Sequence, residues 1–206
     1  MEIFITGIGT EVGKTVCSAI LTAYYKADYW KPVQSGDLHY TDSMKIREWA
    51  GEDVILHPET YRLQRAASPH QSAAEEGLSI RLSDFRLPET SHPLVIEGAG
   101  GLMVPLSDDA LMIDLIAELN IPVALVIRNY LGCINHTLLS MAALAQCQIP
   151  IKHLILNGSF PPDTERIILH HTAKETSIIR IPDMENPDRE SINNTAKKII
   201  IENYEY

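Results

Sequence analysis

A glycine-rich segment near the start of the chain ends in the pair Lys14-Thr15. Residues 7–15 read Gly-Ile-Gly-Thr-Glu-Val-Gly-Lys-Thr, follow an apolar run and precede a stretch with helical periodicity. In that context, successive backbone amides form a concave site for phosphate oxygens, and the helix start adds partial positive charge. Lys14 would reach the β- and γ-phosphates, and the Thr15 hydroxyl would coordinate Mg²⁺, which prefers oxygen ligands. The segment therefore predicts a nucleotide site.

The spacing of the glycines departs from the standard phosphate-loop pattern. Five residues separate Gly7 from Gly13 and three separate Gly9 from Gly13, whereas the pattern G-x-x-x-x-G-K-[ST] has four. The alternative is a glycine-rich turn with an exposed lysine. The position of Gly-Lys-Thr at a strand-to-helix junction favours the phosphate loop.

Two acidic residues are candidates for a second metal ligand. Glu97 ends an apolar strand and is followed by glycines and alanine at residues 98–101. Because ligands bind at the carboxyl ends of parallel strands, Glu97 would lie beside the phosphate loop if the two strands are near neighbours. Asp42 is the other candidate. The alternatives are a solvated glutamate in a glycine-rich turn and, for Asp42, a helix N-cap or surface acid.

Lys31 lies near the end of a short apolar run, in Tyr-Trp-Lys-Pro-Val at residues 29–33. A lysine within such a run is costly to bury without a partner. It would therefore either point into the site at the carboxyl edge of the sheet or belong to an edge strand, and the pattern alone leaves both interpretations open.

Short apolar runs alternate with helical patterns along the chain. The runs predict strands at residues 2–6, 29–33 (broken by Pro32), 92–97, 122–127, 153–156 and 178–181. The helical patterns cover residues 14–26, 71–76, 111–119, 134–145, 163–174 and 188–202. Continuous apolar strands are typical of a sheet covered on both sides. We therefore expect a single α/β domain over residues 1–206, with a mostly parallel sheet and helices on both faces.

Composition and charge argue against several classes of protein. The 206 residues are 45% hydrophobic and 21% charged, which is ordinary for a globular protein, and no apolar run approaches the ~20 residues of a membrane span. The formal net charge of −10, without a basic stretch, argues against nucleic-acid binding. No signal-peptide pattern is visible. The three widely spaced cysteines indicate reduced thiols, so we expect a cytoplasmic protein with neither membrane nor nucleic acid as partner.

Six segments in order along the chain resemble the motifs of the dethiobiotin synthetase family, which belongs to the P-loop NTPase superfamily. The matching segments are residues 10–15, 31–33 with 35–36, 68–70, 97–101, 105–108 and 131–136. The phosphate loop alone has little specificity, whereas its combination with Leu-Gly-Cys-Ile-Asn-His at residues 131–136 is highly specific. One departure is Asn157-Gly158, where a relative has Asn-Asp.

The resemblance implies an ATP-dependent cyclo-ligase of biotin biosynthesis. Such enzymes join CO₂ (or bicarbonate) to 7,8-diaminononanoate and close a cyclic urea, giving dethiobiotin, ADP and phosphate. No covalent enzyme intermediate is needed, so positioning and charge stabilisation carry the catalysis. By this resemblance Lys14 and Lys31 are catalytic, and Thr15, Asp42 and Glu97 hold Mg²⁺.

The resemblance also implies two sets of binding residues. The nucleotide set is Glu11, Val12, Gly13, Lys14, Thr15, Val16, Asp42, Glu97, Gly98, Ala99, Gly100, Asn157, Gly158, Pro182, Asp183 and Met184, of which Asn157 and residues 182–184 border the adenine. The substrate set is Thr10, Ser35, Leu131, Gly132, Cys133, Ile134 and Asn135. Ser35 would help orient the carbamate or the phosphates.

Assembly is a further expectation. Gly132 would start a helix with free backbone amides, which suits an anion. By resemblance, these amides bind the carboxylate of a substrate held in the partner's site of a homodimer. The alternative is an ordinary strand-to-helix turn in a monomer.

A different class of protein shares the phosphate loop. Partitioning and positioning ATPases are switches, and their loops usually carry a signature lysine near the start, where this chain has Ile8 and Gly9. Their membrane-binding members end in a basic amphipathic tail, unlike residues 202–206. A third option, an amide-forming synthase acting on a larger acid, would usually come with an amidotransferase domain, for which this chain has no room.

Overall fold

The computed structural model describes residues 1–203, so the last residues of the segment 202–206 and of the predicted domain 1–206 lie outside the described part. The strands are β1 (Glu2–Gly7), β2 (Asp28–Trp30), β3 (Val33–Ser35), β4 (Leu56–His57), β5 (Tyr61–Leu63), β6 (Leu94–Gly101), β7 (Val123–Arg128), β8 (Ile151–Asn157), β9 (Ser177–Ile181) and β10 (Ile201–Asn203). The helices are α1 (Lys14–Tyr25), α2 (Asp42–Ala50), α3 (Pro69–Glu75), α4 (Met112–Leu119), α5 (Cys133–Gln146), α6 (Pro162–His170) and α7 (Arg189–Lys198), with a 3₁₀ turn at Leu82–Asp84.

The main sheet has eight strands in the order β10-β9-β8-β7-β1-β6-β2-β4. All neighbouring strands are parallel except β10, which runs antiparallel to β9. β1 lies between β6 and β7, so the loop that follows β1 opens at the middle of the carboxyl edge, where parallel sheets bind ligands.

Helices cover both faces of this sheet because its strands are apolar on both sides. Along β1, Ile3 and Ile5 are buried in one core and Phe4 in the other, as the two-residue period of a strand requires. The first core also contains buried residues of α1, α2 and α7, and the second contains those of α4, α5 and α6. The predicted α/β architecture is confirmed. Within residues 1–203, no helix has the length and apolarity needed to cross a membrane.

The short strand predicted at residues 29–33, with a break at Pro32, forms as two strands that lie in different sheets. The chain forms β2, leaves the main sheet at Pro32 and pairs again as β3 with β5 in a separate two-stranded sheet. Proline has no backbone N–H to donate to a ladder, although its carbonyl oxygen accepts a hydrogen bond from Tyr61 N at 3.1 Å. This break turns Lys31 out of the ladder.

Other boundaries also differ. The last helix ends at Lys198 instead of continuing to residue 202, and the chain turns back at Ile199 to add β10 to the sheet edge. The helix predicted at residues 163–174 ends at His170. The sequence patterns missed α2, whose exposed face carries mostly polar residues.

Candidate functional site

The loop between β1 and α1 is held by residues distant in sequence. Gly13, just before α1, has φ of 87°, and a Cβ atom at this position would overlap the side-chain amide of Asn157. The Asn157 Nδ2 atom donates a hydrogen bond to the carbonyl oxygen of Val12 at 2.9 Å. Asn157, at the end of β8, therefore fixes the turn that leads into α1.

Lys14 begins α1 and folds back over this loop. Its Nζ atom donates to the carbonyl oxygen of Gly9 at 3.0 Å. Burial lowers the pKa of Lys14 to about 8, and repulsion from Lys31 makes a smaller contribution in the same direction. The ammonium is therefore close to the concave side of the loop and only partly solvated, which suits a phosphate partner.

Three oxygen-bearing side chains meet beside Lys14. Since β1 and β6 are adjacent, with Ile5 opposite Glu97, the Glu97 carboxylate reaches the first turn of α1. The Thr15 hydroxyl lies 2.9 Å from Glu97 Oε1 and 3.2 Å from Asp42 Oδ1. The structure thus brings together the predicted metal-binding residues Thr15, Asp42 and Glu97.

Lys31 is buried between the two carboxylates, with 4% of its surface exposed. Its Nζ atom lies 2.8 Å from Asp42 Oδ2 and 3.1 Å from Glu97 Oε1, and it donates to the Gly98 carbonyl oxygen at 3.2 Å. Burial alone would lower the pKa of Lys31, but Glu97 and Asp42 together raise it, so the side chain stays cationic. The edge-strand interpretation is wrong, because β2 lies between β6 and β4.

Asp42 is the first residue of α2, not its N-cap. The N-cap is Thr41, whose hydroxyl accepts a hydrogen bond from Met44 N. Burial would raise the pKa of Asp42, but Lys31 and Lys45 outweigh it and lower the pKa to about 2. Because Thr41 caps the helix, the Asp42 carboxylate faces the site instead. The backbone N–H of Asp42 donates to Gln34 Oε1 at 3.2 Å, which holds the residue in place.

Two further residues contact the carboxylates and were missed from the sequence. The Tyr29 hydroxyl donates to Glu97 Oε2 at 3.0 Å. Lys45 Nζ lies 3.2 Å from Asp42 Oδ1. The signal for Tyr29 was present, since it precedes Lys31 by two residues and extended residues at that spacing share a face. Lys45 could be found only once Asp42 was placed at the start of a helix.

A cavity of about 750 Å³ opens over these groups. Of the predicted site residues it is lined by Thr10, Glu11, Gly13, Lys14, Thr15, Val16, Lys31, Ser35, Asp42, Glu97, Ala99 and Gly100. Val12 and Gly98 lie behind the lining: Val12 is buried, and a Cβ atom on Gly98 would lie 2.8 Å from the Phe4 ring. The Ser35 hydroxyl is buried without a hydrogen-bond partner among the described residues, which leaves it available to a ligand.

The residues predicted to border an adenine form a second group at the ends of β8 and β9. A Cβ atom on Gly158 would lie 2.5 Å from Asp183 Oδ1, so the glycine makes room for that carboxylate. Asp183 also accepts a hydrogen bond from Ser159 N at 3.0 Å and lies 3.5 Å from Arg128 Nη2. Within residues 1–203, neither Asn157, Gly158 nor residues 182–184 are among those lining the cavity beside Lys14.

The predicted substrate loop at residues 131–135 lies at the start of α5. Gly132 precedes the helix with φ of 104°, Leu131 is fully exposed and Cys133 is buried. A second cavity, of about 680 Å³, lies between α5 and the phosphate loop, and Thr10 lines both cavities. In the part of the chain that the structure describes, residues 131–135 themselves line neither cavity.

Comparison with known proteins identifies relatives over nearly the whole chain. A family described as an AAA domain matches residues 1–191. The ATP-dependent dethiobiotin synthetase BioD of Cytophaga hutchinsonii is 44% identical over 205 residues, which is 98% of each chain. The protein of the same name from Christiangramia forsetii is 48% identical over 166 residues, 80% of each chain.

A solved structure shows the same fold. The nucleotide-binding protein from Archaeoglobus fulgidus, in complex with ADP, matches with a TM-score of 0.52 over 95% of this chain and 86% of that chain. Its sequence identity of 11% limits this likeness to the fold. The dethiobiotin synthetase relatives confirm the resemblance seen in the sequence motifs and do not favour a partitioning ATPase. The chain belongs to the ATP-dependent dethiobiotin synthetase family.

Proposed function

We propose that this protein is an ATP-dependent dethiobiotin synthetase, a cyclo-ligase that forms C–N bonds in biotin biosynthesis. One amine of 7,8-diaminononanoate takes up CO₂ as a carbamate. A carbamate oxygen attacks the γ-phosphorus, and the bond to ADP breaks. The second amine then attacks the carbamate carbon, phosphate leaves, and the ring closes as dethiobiotin.

The observation that carries this proposal is the cluster of Thr15, Lys31, Asp42 and Glu97 beside the phosphate loop. Its donors for a metal are a hydroxyl and two carboxylates, the hard oxygen ligands that Mg²⁺ selects. Thr15, Asp42 and Glu97 would hold the ion, which when bound neutralises charge on the phosphate oxygens.

Two lysines supply the fixed positive charges. Lys14 would exchange the Gly9 carbonyl oxygen for phosphate oxygens. Lys31, held by Asp42 and Glu97, would face the carbamate and the γ-phosphate oxygens, where negative charge accumulates during transfer. Both are buried, which strengthens their electrostatic effect. Thr10 and Ser35 would orient the carbamate, and the loop amides would hold the phosphates.

The base of the nucleotide is assigned to the group at the ends of β8 and β9. Asn157, Gly158 and the residues Pro182, Asp183 and Met184 would border the adenine. One N–H of Asn157 Nδ2 donates to Val12 O, so the Oδ1 acceptor and the second N–H donor remain for the amino group and a ring nitrogen of adenine.

Substrate binding is assigned to a homodimer. The amides at the start of α5 would bind the far carboxylate of a diaminononanoate held beside the phosphate loop of the partner. The exposed apolar side chains of Met103 and Leu139, which line the second cavity, and of Leu131, just before α5, support this face as the interface. Free Cys17, Cys133 and Cys147 are consistent with a reducing cytoplasmic location.

The experiment is an assay of ATP hydrolysis with product analysis. With diaminononanoate and bicarbonate both present, we expect ADP and dethiobiotin in equal amounts, and little ADP when either is omitted. Asp42→Asn and Glu97→Gln should abolish both products. ATP hydrolysis at the same rate with and without diaminononanoate would contradict the proposal and favour an ATPase switch. Amide formation on a larger acid would favour an amide-forming synthase.

A further inference from the structure

Lys45 is a third cation at the site, and the family motifs do not include it. It lies on α2, three residues after Asp42, and its Nζ atom is 3.2 Å from Asp42 Oδ1. Its side chain is 24% exposed and lines the cavity above the phosphate loop. The Nζ atom also lies 5.5 Å from the centre of the Tyr40 ring.

Both oxygens of the Asp42 carboxylate have polar partners in this arrangement. Oδ1 lies 3.2 Å from both Thr15 Oγ1 and Lys45 Nζ, and Oδ2 lies 2.8 Å from Lys31 Nζ. A divalent cation that bound Asp42 would therefore compete with Lys45 at Oδ1 and with Lys31 at Oδ2.

Glu97 is engaged in the same way. Its Oε1 atom is shared by Thr15 and Lys31, and its Oε2 atom accepts from Tyr29. The two carboxylates are therefore balanced by the charges of Lys31 and Lys45. A metal ion entering alone would meet two cations, and their repulsion would oppose its binding.

The two lysines differ in freedom. Lys31 is buried and has three acceptors, Asp42, Glu97 and the Gly98 carbonyl oxygen. Lys45 has a flexible, partly exposed stem and its ionic contact is with Asp42. Lys45 is therefore the cation that can swing away when phosphate oxygens offer it another partner.

We propose that Lys45 couples metal binding to nucleotide binding: it pairs with Asp42 in the nucleotide-free protein and leaves Asp42 when phosphates bind. This inference rests on the proposed function, which assigns Asp42 as a metal ligand. Its consequence is that the protein binds a divalent cation weakly by itself and tightly together with nucleotide. Lys45 acts here as a positioning residue for Asp42.

The test measures Mn²⁺ binding by electron paramagnetic resonance of the free ion, with no turnover involved. Without nucleotide, Lys45→Gln should bind Mn²⁺ roughly tenfold more tightly than wild type, because one repelling charge is gone. Lys45→Arg keeps the charge and should match wild type. With ADP present, we expect wild type and Lys45→Gln to bind Mn²⁺ with similar affinity.

Linkage provides a second readout from the same variants. The factor by which ADP tightens Mn²⁺ binding must equal the factor by which Mn²⁺ tightens ADP binding. Both factors should be smaller in Lys45→Gln than in wild type by roughly tenfold. ADP affinity with and without Mn²⁺, measured by calorimetry, completes the cycle.

Arg47→Gln is the control, since it removes a charge from the same helix. Arg47 donates to the carbonyl oxygen of Glu52, and it does not line the cavity. Equal Mn²⁺ affinity of wild type and Lys45→Gln without nucleotide would overturn the inference, as would an equal gain in Arg47→Gln. If Asp42→Asn binds Mn²⁺ with ADP as wild type does, the metal assignment of the proposed function fails as well.

Discussion

At the residue scale, the site is a set of charges that compensate one another. Lys31 lies within 3.1 Å of both carboxylates, and Thr15 bridges them from the other side. Removal of these charges from water is costly, and the ion pairs and hydrogen bonds among them offset part of that cost. The same charges are the ones that phosphate and metal would use, so removal of one affects both activity and stability.

Lys31→Ala should depress turnover roughly 10²- to 10³-fold, because loss of one preorganised charge donor costs about 3 kcal/mol of transition-state stabilisation. The variant should also melt at a lower temperature, since Asp42 and Glu97 lose their shared cation. Steady-state kinetics with circular dichroism would check both effects. A variant that kept more than about half of wild-type turnover would remove Lys31 from the mechanism.

ATP affinity should fall as the pH rises through about 8. This is the pKa of Lys14, which is lowered mainly by burial and further by the nearby charge of Lys31. The ammonium form predominates below that pH and binds phosphate, whereas the neutral amine predominates above it in the free enzyme. Calorimetry of ATP binding between about pH 7 and 9.5 would measure the change. Lys14→Arg should bind more weakly but with a flat profile, and a flat profile in wild type would contradict the prediction.

At the element scale, the start of α2 places Asp42. Thr41 caps this helix, and Gln34 holds its first N–H from β3. The start of α5 has a comparable role for the proposed carboxylate site, where Gly132 makes the turn with φ of 104°. In both cases a helix end sets the position of groups that would bind a charged ligand.

Thr41→Ala should lower the free energy of unfolding by about 1 kcal/mol, the usual cost of an N-cap. Because the first turn of α2 then frays, the Mg²⁺ concentration needed for half-maximal activity should also rise. Asp188→Ala is the matched control, since Asp188 caps α7 away from the site. It should lower thermal stability and leave the metal requirement unchanged; equal metal requirements in both variants would argue against placement of Asp42 by the cap.

Gly132→Val should raise the KM for diaminononanoate with little effect on ATP binding, because it disturbs the amides at the start of α5. Gly77→Val is the control for backbone strain: Gly77 has φ of 68°, and a Cβ atom there would meet open space. Initial-rate measurements with each substrate varied would separate the two KM values. An increase confined to the KM for ATP would refute the assignment.

At the scale of the whole molecule, the two cavities raise the question of how one substrate reaches both ends of its binding site. Thr10 lines both cavities, whereas residues 131–135 line neither, and His136 in the first turn of α5 lines the second. A second copy could supply the amides at the start of α5.

Light scattering of the active protein should give twice the mass of one chain. Leu139→Arg, on the exposed apolar face of α5, should shift the mass toward one chain and raise the KM for diaminononanoate in parallel. Arg166→Ala is a suitable control on α6, since Arg166 is exposed and does not line the second cavity. A fully active species with the mass of one chain would rule out the shared site.

The sequence determined the features that depend on local order. Glycines followed by Lys14-Thr15 after an apolar strand favour a phosphate loop at the strand end, and the continuous apolar runs indicate a sheet covered on both faces. Glu97 at the end of a second run was placed at the same edge for the same reason. These inferences hold because hydrophobic periodicity and backbone conformation act over a few residues.

Only the tertiary structure decided which side chains meet. Asn157 supports Val12 from 145 residues away, and Thr15 contacts Glu97 from 82 residues away. Strand order places β6 beside β1, and no local pattern encodes that neighbour. The role of Lys45 could not be predicted from the sequence, because the mostly polar α2 gave no helical pattern and the contact depends on where Asp42 lies. These contacts join segments that are distant in sequence, so they depend on how strands and helices pack and not on local patterns.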